Sequence, residues 1–408
     1  MEIRKNDWLA FEIQAKEFPY QSFFLSSESS LPQPIDYHTQ DWLFLAGNSP
    51  IATSIQQAVS ENPDWYFGHL CYDLKNDFHG LTTQFPTPNY PLQQWIQADW
   101  VVQKKDGNLQ VLKGKPLQEQ PFKFTAYSAE WLSLSPAVSK ENYLNDLRTI
   151  QEYIRNGACY ELNYCFPFQG HIQGDFNPWS FFYALHERSP MPFANFYQTP
   201  EIWAMGASPE RYLRKKGNQV ISQPIKGTRR RCEISDEKLV AELRGSEKEN
   251  AEHIMIVDLM RNDLAKFCQP GSVEVPELKE VYTFPRVHQM ISTVQGLLLD
   301  ENTGLDVLLD AFPMGSMTGA PKRRVMEIID EVEHFSRGLY SGSIGYIQPD
   351  GDFDFNVVIR SLVVERATGK ANMGVGGAIT FLSDPEEEYD ECWLKASPIL
   401  HLSKQHET

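Results

Sequence analysis

The sequence predicts an α+β protein with largely antiparallel sheets. Residues 1–135 carry short apolar or alternating runs bounded by Pro, Asn and Gly, which is typical of strands, and helical periodicity begins only after them. Strands and helices do not then alternate in a regular βαβ rhythm, and no internal repeat is visible. Because a parallel sheet needs such crossovers, antiparallel pairing is favoured.

The predicted strands at the start of the chain are rich in aromatic residues. They include FFL at 23–25, WLFL at 42–45 and WVV at 100–102. A connector, SLSPAVS, follows at 133–139, after which Tyr143, Leu147 and Ile150 recur at helical spacing until Gly157 provides a stop. We therefore predict a strand-rich N-terminal part at 1–135 and a second module at 136–408.

Composition limits the classes of function. The chain has 408 residues and a formal net charge of -17, which disfavours attraction to nucleic acid or an anionic membrane. An anionic ligand therefore needs a local cavity lined by basic groups or a metal. The six cysteines form no CxxC pair, the N-terminal residues lack an apolar signal, and no run of about 18 apolar residues occurs. These features predict a cytoplasmic protein with reduced thiols.

Lys226 is a candidate nucleophile. It lies in the motif QPIKGT and is followed by Arg229, Arg230 and Arg231. Because neighbouring cations disfavour the ammonium form, we predict a lowered lysine pKa and a neutral amine. The alternative from these residues alone is a solvated basic turn on the surface.

Two acidic helices offer ligands for a metal. Ser246 can cap a helix that places Glu249 and Glu252 on one face, and Asp384 with Pro385 can begin a helix that carries Glu388 and Glu391. If the helices converge, their carboxylates suit Mg²⁺, which takes one or two carboxylates and completes its shell with water and an anionic substrate. The alternative is that each acidic first turn faces solvent, where the helix dipole favours it.

Two glycine-rich segments are candidate anion sites. MGSMTGAP at 314–321 precedes a helical pattern and can offer backbone N–H groups at the helix start. GVGGA at 374–378 follows an extended stretch and can form a backbone nest for a carboxylate, while Arg360 offers a bidentate fork. Each signal is weak alone, since most glycine clusters are turns.

The order of motifs resembles the chorismate-utilising enzymes, the family that includes anthranilate, aminodeoxychorismate, isochorismate and salicylate synthases. The motifs are SPER (208–211), PIKGTRR (224–230), KENAEH (248–253), VDLMRNDL (257–264), FPMGSMTGAPK (312–322), SGSIGY (341–346), VIRSL (358–362), GVGGA and SDPEEEYDECWLKA (383–396). The resemblance covers about residues 136–400 and implies two large, mainly antiparallel sheets packed as a sandwich with helices outside. It makes 136–408 a chorismate-binding catalytic module.

Within that family, PIKGT resembles aminodeoxychorismate synthases, because anthranilate synthases typically carry alanine at the position of Lys226. The resemblance implies Mg²⁺-dependent amination of chorismate at C4 for para-aminobenzoate and folate synthesis, with Lys226 as nucleophile and Glu210 as general acid. It implies Glu252 and Glu391 as Mg²⁺ ligands, supported by Glu249 and Glu388. It also implies a set of groups that position the substrate carboxylates: Gly227, Thr228, Thr318, Tyr346, Arg360, Gly376, Gly377, Ala378 and Lys395.

Partners and alternatives also follow from the resemblance. No Gly-x-Cys-x-Gly turn of a glutaminase occurs, so ammonia is expected from a partner glutamine amidotransferase. Relatives hold tryptophan near the positions of Ser26 and 192–194, which makes tryptophan a candidate ligand. Anthranilate synthase component I and a non-catalytic protein that binds chorismate or docks an amidotransferase remain alternative functions.

Glu161 departs from the family pattern. Relatives that activate water carry lysine at its position, and relatives that use ammonia often carry glutamine. The absence of lysine argues against isochorismate or salicylate formation, whereas the role of a glutamate at this position stays open.

Overall fold

The computed structural model describes residues 15–26, 41–117, 126–232, 235–284, 287–299 and 304–404. The helices of these ranges are α1 Ile55–Glu61, α2 Lys75–His79, α3 Lys140–Arg155, α4 Pro178–Arg188, α5 Asp236–Gly245, α6 Glu247–Ala265, α7 Gly304–Asp310, α8 Lys322–Val332 and α9 Pro385–Leu400. Within them, no helix is both long and apolar enough to cross a bilayer.

The strands are numbered in the same way. They are β1 Tyr20–Ser26, β2 Asp41–Gly47, β3 Tyr66–Leu70, β4 Gln93–Gln97, β5 Trp100–Lys105, β6 Asn108–Lys113, β7 Leu132–Pro136, β8 Glu161–Ile172, β9 Phe193–Gln198, β10 Ile202–Ser208, β11 Arg211–Lys216, β12 Gln219–Gln223, β13 Ile225–Arg230, β14 Glu274–Thr283, β15 Val287–Leu297, β16 Gly319–Ala320, β17 Ser343–Ile347, β18 Phe353–Asn356, β19 Ser361–Glu365 and β20 Lys370–Ile379.

The strands form two large antiparallel sheets, so the predicted α+β class is confirmed. The first sheet runs β16-β8-β20-β19-β10-β9-β1-β2-β5-β6, with β7 also paired to β8. The second runs β13-β15-β12-β11-β18-β17-β3-β4, with β14 also paired to β15. Residues 1–135 supply strands to both sheets, since β1 pairs with β9 and β3 pairs with β17. The N-terminal part therefore completes the same two sheets as the second module.

Alternating strand residues build three apolar layers. On β1, Phe24 packs between the sheets, while Phe23 faces α3, α4, α8 and α9 on the outer side of the first sheet. On β3, Phe67 faces the layer between the sheets and Tyr66 faces the layer that holds α6 and α7. Because side chains on a strand alternate between its faces, these runs bury both sides of each sheet and make a sandwich with helices outside.

Capping side chains explain where α3, α6 and α9 begin. Ser139 caps α3, Ser246 caps α6 through a 3.3 Å bond from the Glu249 N–H, and Asp384 caps α9 ahead of Pro385. These helix starts match those predicted from the sequence. A side-chain oxygen at the N-cap accepts a hydrogen bond from one of the free N–H groups of the first turn. Because both groups are close in sequence, the helix start can be predicted from the sequence alone.

A buried arginine ties the segment before α8 to β8. The Arg337 guanidinium pairs with Glu333 at 2.6 Å and donates to the carbonyls of Met317 (2.7 Å) and Asn163 (2.8 Å). Glu333 in turn accepts the Cys165 N–H at 2.8 Å. A bidentate fork that is fully paired holds both backbones in fixed geometry. The start of β8 is therefore a rigid platform, and it forms one wall of the site described next.

Candidate active site

One cavity collects most of the residues singled out from the sequence. It lies where β8 and β20 of the first sheet meet β13 of the second, under α6 and α9. The solvent-facing alternatives are excluded for Lys226, Glu252 and Glu388, which are buried, whereas the Glu391 side chain is 48% exposed. The predicted residues that line it are Glu210, Lys226, Gly227, Thr228, Glu249, Glu252, Arg360, Gly376, Gly377, Ala378, Glu388, Glu391 and Lys395.

Lys226 is buried, but its amine is protonated rather than neutral. Its Nζ donates to Glu161 Oε1 at 2.7 Å, and the Glu161 side chain is only 1% exposed. Burial opposes the ammonium form, but the carboxylates of Glu161 and Glu252 outweigh that cost and raise the pKa of Lys226 above its ordinary value. The predicted lowering of this pKa is therefore wrong for the protein without substrate.

The arginines that prompted that prediction are paired elsewhere. Arg229 binds Glu249 at 3.0 Å, and Arg231 binds Asp236 at 2.7 Å. Along a strand, neighbouring side chains alternate between faces, and each of these two guanidinium charges has its own carboxylate. The neighbours of Lys226 in sequence therefore predicted a pKa shift in the wrong direction, because the nearest charge in space is that of Glu161 on another strand.

Gly227 shapes the wall beside the lysine. The pairing of β13 with β15 shifts register between Lys226 and Thr228, which marks a bulge, and Gly227 has φ +81°. A Cβ on this glycine would lie 2.7 Å from Leu243 Cδ1 and 2.9 Å from Glu249 Oε2. The bulge thus needs glycine both for its left-handed backbone and for the close approach of the Glu249 carboxylate.

The acidic helices converge as predicted, and three of their carboxylates bind cations. Glu249 pairs with Arg229, Glu388 pairs with Lys248 at 2.6 Å, and Glu391 pairs with Lys395 at 2.8 Å. Attraction by Lys395 lowers the pKa of Glu391 to about 2. The contact between Lys248 and Glu388 joins α6 directly to α9, so the two helix starts close the cavity together.

Glu252 is the exception. Its Oε1 is buried without a hydrogen-bond partner in the described part of the chain, and burial raises the pKa of this carboxyl to about 8. A buried carboxyl oxygen without a donor is costly unless a cation or proton satisfies it. Among the described residues no three acidic, His or Cys side chains are grouped for a metal. The free Glu252 oxygen is available to a cation, and Mg²⁺ is an ion that takes one or two protein carboxylates.

Glu210 lies across the cavity as a buried acid. It is 6% exposed, and burial raises the pKa of its carboxyl to about 7, against the opposing charges of Lys226, Arg360 and Lys395. At neutral pH a substantial fraction of it is protonated and able to donate a proton. Environment alone therefore gives this glutamate the property expected of a general acid.

Arg360 has the features of an anion-binding group. Its backbone adopts φ +51°, which a residue with a side chain rarely does, and no ion pair of its guanidinium occurs within the described ranges. Burial lowers its pKa to about 10, so it stays charged at neutral pH. Strained backbone that points a charge at a cavity is a recurrent feature of functional sites.

The segment GVGGA is part of a strand and not the nest predicted from its glycines. Gly374 to Ala378 pair in unbroken register with residues 167–163 of β8. A Cβ on Gly377 would lie 3.2 Å from Glu388 Oε2 and 3.7 Å from Lys395 Nζ. These glycines thus bring backbone close to the charged groups of the cavity, and Lys395 donates to the Gly376 carbonyl at 2.9 Å.

Two predicted substrate-binding residues lie outside the cavity. Thr318 is fully buried, and its hydroxyl and N–H donate within its own turn, so the segment before α8 uses these donors internally. Its carbonyl accepts the Asn163 N–H, which places Thr318 behind the cavity wall. Tyr346 lies on β17 against Phe24, with ring centroids 5.2 Å apart, in the layer between the sheets.

Tyr346 instead borders the region where tryptophan was predicted. A small space there is lined by Phe24, Leu25, Phe193 and Tyr346, and the side chain of Ser26 lies outside the described residues. The space measures about 20 Å³, which is enough for a single water molecule. An indole ring needs these aromatic side chains to move apart.

Several lining residues were missed from the sequence. They are Asn163, Lys248, Gln289 and Ser316. Glu161, which the sequence marked as a departure from the family pattern without a role, contacts Lys226 from beside the cavity. Lys248 had a signal, because it lies four residues before Glu252 on one helix and so shares its face. The others had none, since only the pairing of β8 with β16 and of β13 with β15 brings them to this place.

Residues 28–401 match the family model described as chorismate binding enzyme. The chain belongs to the chorismate binding enzyme family. Chloroplastic aminodeoxychorismate synthase of Arabidopsis thaliana is 42% identical over 294 residues, which are 71% of this chain and 32% of that protein. Anthranilate synthase component 1 of Thermus thermophilus is 39% identical over 264 residues, 64% of this chain and 56% of that protein. The chain thus spans less than two thirds of either relative.

The fold is also that of this family. The crystal structure of anthranilate synthase component I from Streptococcus pneumoniae superposes with a TM-score of 0.76 at 24% identity, covering 93% of this chain and 89% of that one. At this identity the likeness shows the fold alone, namely the anthranilate synthase component I-like sandwich expected from the sequence. The charged cavity is the place in this fold where most of the residues predicted to bind chorismate come together.

Gly227→Ala tests the role of the bulge. We expect this change to lower the free energy of unfolding by about 1–3 kcal/mol through overpacking against Leu243 and Glu249, in addition to backbone strain. Gly217→Ala is the matched control, because Gly217 has φ +55° but no atom within 4 Å of its added Cβ. Urea unfolding of both variants, with calorimetry of chorismate binding, separates the cost of overpacking from the cost of backbone strain. Equal losses in both variants, with unchanged binding, contradict the packing role.

Proposed function

We propose that this chain catalyses Mg²⁺-dependent amination of chorismate at C4, giving 4-amino-4-deoxychorismate for para-aminobenzoate synthesis. The observation that carries the proposal is a buried lysine amine that faces the same cavity as a buried, partly protonated glutamate, Glu210. A nucleophile and an acid on one substrate pocket suit displacement of a hydroxyl group.

Chorismate carries two carboxylates, and the cavity offers positive charge for both. Arg360 and Lys395 lie on its wall with the backbone of Gly376 to Ala378 and with Thr228. The chain as a whole carries -17, so this local charge is what makes binding of a dianion favourable. Low exposure strengthens each contact, because screening by solvent is weak inside the cavity.

The proposed reaction proceeds through a covalent bond to the protein. The Lys226 amine adds at C2 of the ring while the C4 hydroxyl leaves, protonated by Glu210 to give water. Ammonia then adds at C4 and expels the lysine, and the enolpyruvyl group is retained. Splitting the substitution into two steps uses an amine that the protein already holds in place, which removes the entropic cost of capturing ammonia in the first step.

Mg²⁺ is part of the proposal, with Glu252 and Glu391 as ligands and Glu249 and Glu388 in support. The buried, unpartnered Oε1 of Glu252 supports this assignment. When bound, the ion neutralises and orients the ring carboxylate of chorismate. In its absence the salt bridges to Lys248 and Lys395 provide counter-charges for Glu388 and Glu391.

The relatives do not separate this reaction from the anthranilate alternative by identity, since the two named above are 42% and 39% identical. Lys226 favours amination at C4, because it supplies the nucleophile that the alanine of anthranilate synthases lacks. The buried carboxyl of Glu210, with its pKa raised to about 7 on the same cavity, favours a catalytic protein over one that only binds chorismate.

The source of ammonia is proposed to be a partner glutamine amidotransferase. Both the Thermus and the Streptococcus relatives carry "component" in their names, which is consistent with a second subunit. We retain the cytoplasm as the proposed location, on the scattered cysteines of the sequence.

Lys226→Ala tests the covalent role. With chorismate, Mg²⁺ and ammonium, the wild-type protein is expected to form 4-amino-4-deoxychorismate, identified by mass, and glutamine should replace ammonium only when a glutaminase is added. Loss of the nucleophile should reduce the amino product by about 100-fold or more, or divert the reaction to anthranilate. Lys216→Ala, at an exposed position on β11, is the matched control. An unchanged product and rate in Lys226→Ala would remove the lysine from the mechanism.

Glu210 should impose a pH limit on the rate. A group that must donate a proton works below its pKa, so with a pKa of about 7 the rate should fall as the pH rises through 7. The rate of Glu210→Gln should be about 100-fold lower than that of the wild type, and it should no longer fall as the pH rises through 7. The measurement is kcat against pH at a constant concentration of free ammonia. A Glu210→Gln variant with wild-type rate and profile excludes the acid role.

Glu391→Gln tests the metal site. The change removes a charged ligand, so the Mg²⁺ concentration for half-maximal binding should rise about tenfold or more, measured by calorimetry in the presence of chorismate without ammonia. Glu387→Gln, an exposed position on the same helix, is the matched control and should bind Mg²⁺ normally. If Glu391→Gln titrates like the wild type, the ligand assignment is wrong.

A further inference from the structure

Glu161 makes the closest contact to the proposed nucleophile. Its Oε1 accepts the bond from Lys226 Nζ at 2.7 Å, which is the only ion pair of Lys226 in the described part of the chain. Its other oxygen, Oε2, is buried and has no hydrogen-bond partner among the described residues. A carboxylate with one oxygen on the ammonium and one oxygen free has capacity for a proton.

The backbone holds this carboxylate in place. Glu161 begins β8 and pairs with Ala320 of β16, and bonds of 2.8 Å on either side join Tyr160 N–H to the Ala320 carbonyl and Asn163 N–H to the Thr318 carbonyl. Gly319 has φ +144°, and a Cβ there would lie 2.1 Å from the Glu161 carbonyl oxygen. The two strands therefore approach more closely than any other residue allows, and Glu161 cannot easily shift away from Lys226.

An ammonium has no lone pair, so the resting Lys226 must lose a proton before it can attack carbon. The other charged groups that act on it are Glu252 from α6 and Glu391 from α9, which are the proposed metal ligands, and Lys395 from α9, which is a cation. Glu210 is needed as the acid. His253 lies on α6 next to Glu252, and its Nε2 is hydrogen-bonded to Ser292 Oγ at 2.6 Å. Burial lowers the pKa of the His253 imidazole to about 4.

We propose that Glu161 is the proton acceptor that converts the Lys226 ammonium into the nucleophilic amine. The inference rests on the proposed function, because it assigns the base for the same lysine. The proton moves from Nζ to the Glu161 carboxylate, and the freed electron pair forms the bond to C2 as the bond from C4 to oxygen breaks. Glu210 supplies the proton that turns the leaving hydroxyl into water.

The second half of the reaction restores both groups. Ammonia forms its bond to C4 while the bond from C2 to Nζ breaks, so lysine leaves as a neutral amine. The proton on Glu161 returns to this amine, and the new ammonium at C4 gives a proton to Glu210. Chorismate and ammonia are thereby converted to the amino product and water, and no other reactant is needed.

Relatives with glutamine at this position have no carboxylate there to accept the proton. With an uncharged partner, the lysine is held less firmly as an ammonium, and it must lose its proton to another acceptor before the amine can attack. With Glu161, the carboxylate both stabilises the ammonium and removes its proton at the moment of attack. The difference predicts a different dependence of the chemical step on pH.

The test compares two quantities in wild-type, Glu161→Gln and Glu161→Asp proteins. Competitive labelling with acetic anhydride, read by mass spectrometry, gives the fraction of Lys226 present as free amine at each pH. A single turnover with chorismate and Mg²⁺, without ammonia, gives the rate of adduct formation between about pH 5.5 and 7, where Glu210 remains largely protonated. Glu331→Gln, a half-exposed position on α8, controls for loss of one negative charge.

In the wild type the adduct rate should stay constant while the free amine is a minor species, because the proton is transferred within the pair. In Glu161→Gln the rate should follow the free amine and rise about tenfold per pH unit until the lysine is deprotonated. Glu161→Asp, which keeps an acceptor, should retain a flat profile at a lower rate. These outcomes support the inference.

Other outcomes overturn it. Equal labelling curves in the wild type and Glu161→Gln mean that the ion pair is absent in solution. A lower rate in Glu161→Gln with a flat profile means that Glu161 only shapes the site. If the wild type makes the amino product but its adduct rate tracks the free amine, the acceptor role fails while the proposed function stands. If the wild type forms neither adduct nor amino product, the proposed function fails first and the acceptor role falls with it.

Discussion

Compensation of buried charge is the constraint on which this site depends. Five glutamates line one cavity between the ends of two sheets and a sixth, Glu161, contacts its lysine, and a charge buried alone costs several kcal/mol. Four of these glutamates are paired: Glu161 with Lys226, Glu249 with Arg229 and Glu388 with Lys248 across different elements, and Glu391 with Lys395 within α9. The first three pairs join β8 to β13, β13 to α6, and α6 to α9. The charged groups proposed to act on the substrate therefore also hold the walls of the cavity together.

Glu210 and Glu252 are left out of this pairing, and Glu252 is informative for the same reason. It is buried with an oxygen that no donor in the described ranges satisfies, and its pKa is raised to about 8. A buried carboxyl oxygen without a donor marks a place where a cation is expected. Had Glu252 been paired as its neighbours are, a divalent ion would have to break a salt bridge before it could bind.

Much of the fold was accessible from sequence because its signals are local. Ser246 and Asp384 mark helix starts through their own side chains, and the continuous apolar runs of β1 and β2 are typical of strands buried on both faces. The members of the site were likewise found, since motif order fixes which strands and helices carry them. Tyr346 and Thr318 failed to reach the cavity, because whether a strand residue faces a pocket or the layer behind it depends on a register that the motif does not record.

The charge state of Lys226 was beyond the reach of local signals. The sequence places three arginines beside it, and Coulomb's law applied along the chain predicts a lowered pKa. In three dimensions two of those arginines are paired, and Glu161, which is 65 residues away, lies 2.7 Å from the amine. A glutamate at that position carried no recognisable meaning until its partner was known.

A protonated lysine at rest is the arrangement that this cavity can sustain. If Lys226 were neutral before substrate arrived, Glu161 would be a buried carboxylate without its cation and with only an uncharged N–H donor on one oxygen, since its second oxygen is already without a partner among the described residues. Keeping the proton on the lysine satisfies both groups, and moving it across 2.7 Å changes two charges into two neutral groups at nearly constant local charge. Generation of the nucleophile therefore requires no proton from or to bulk water, and the cavity can remain closed around a dianionic substrate while the bond to carbon forms.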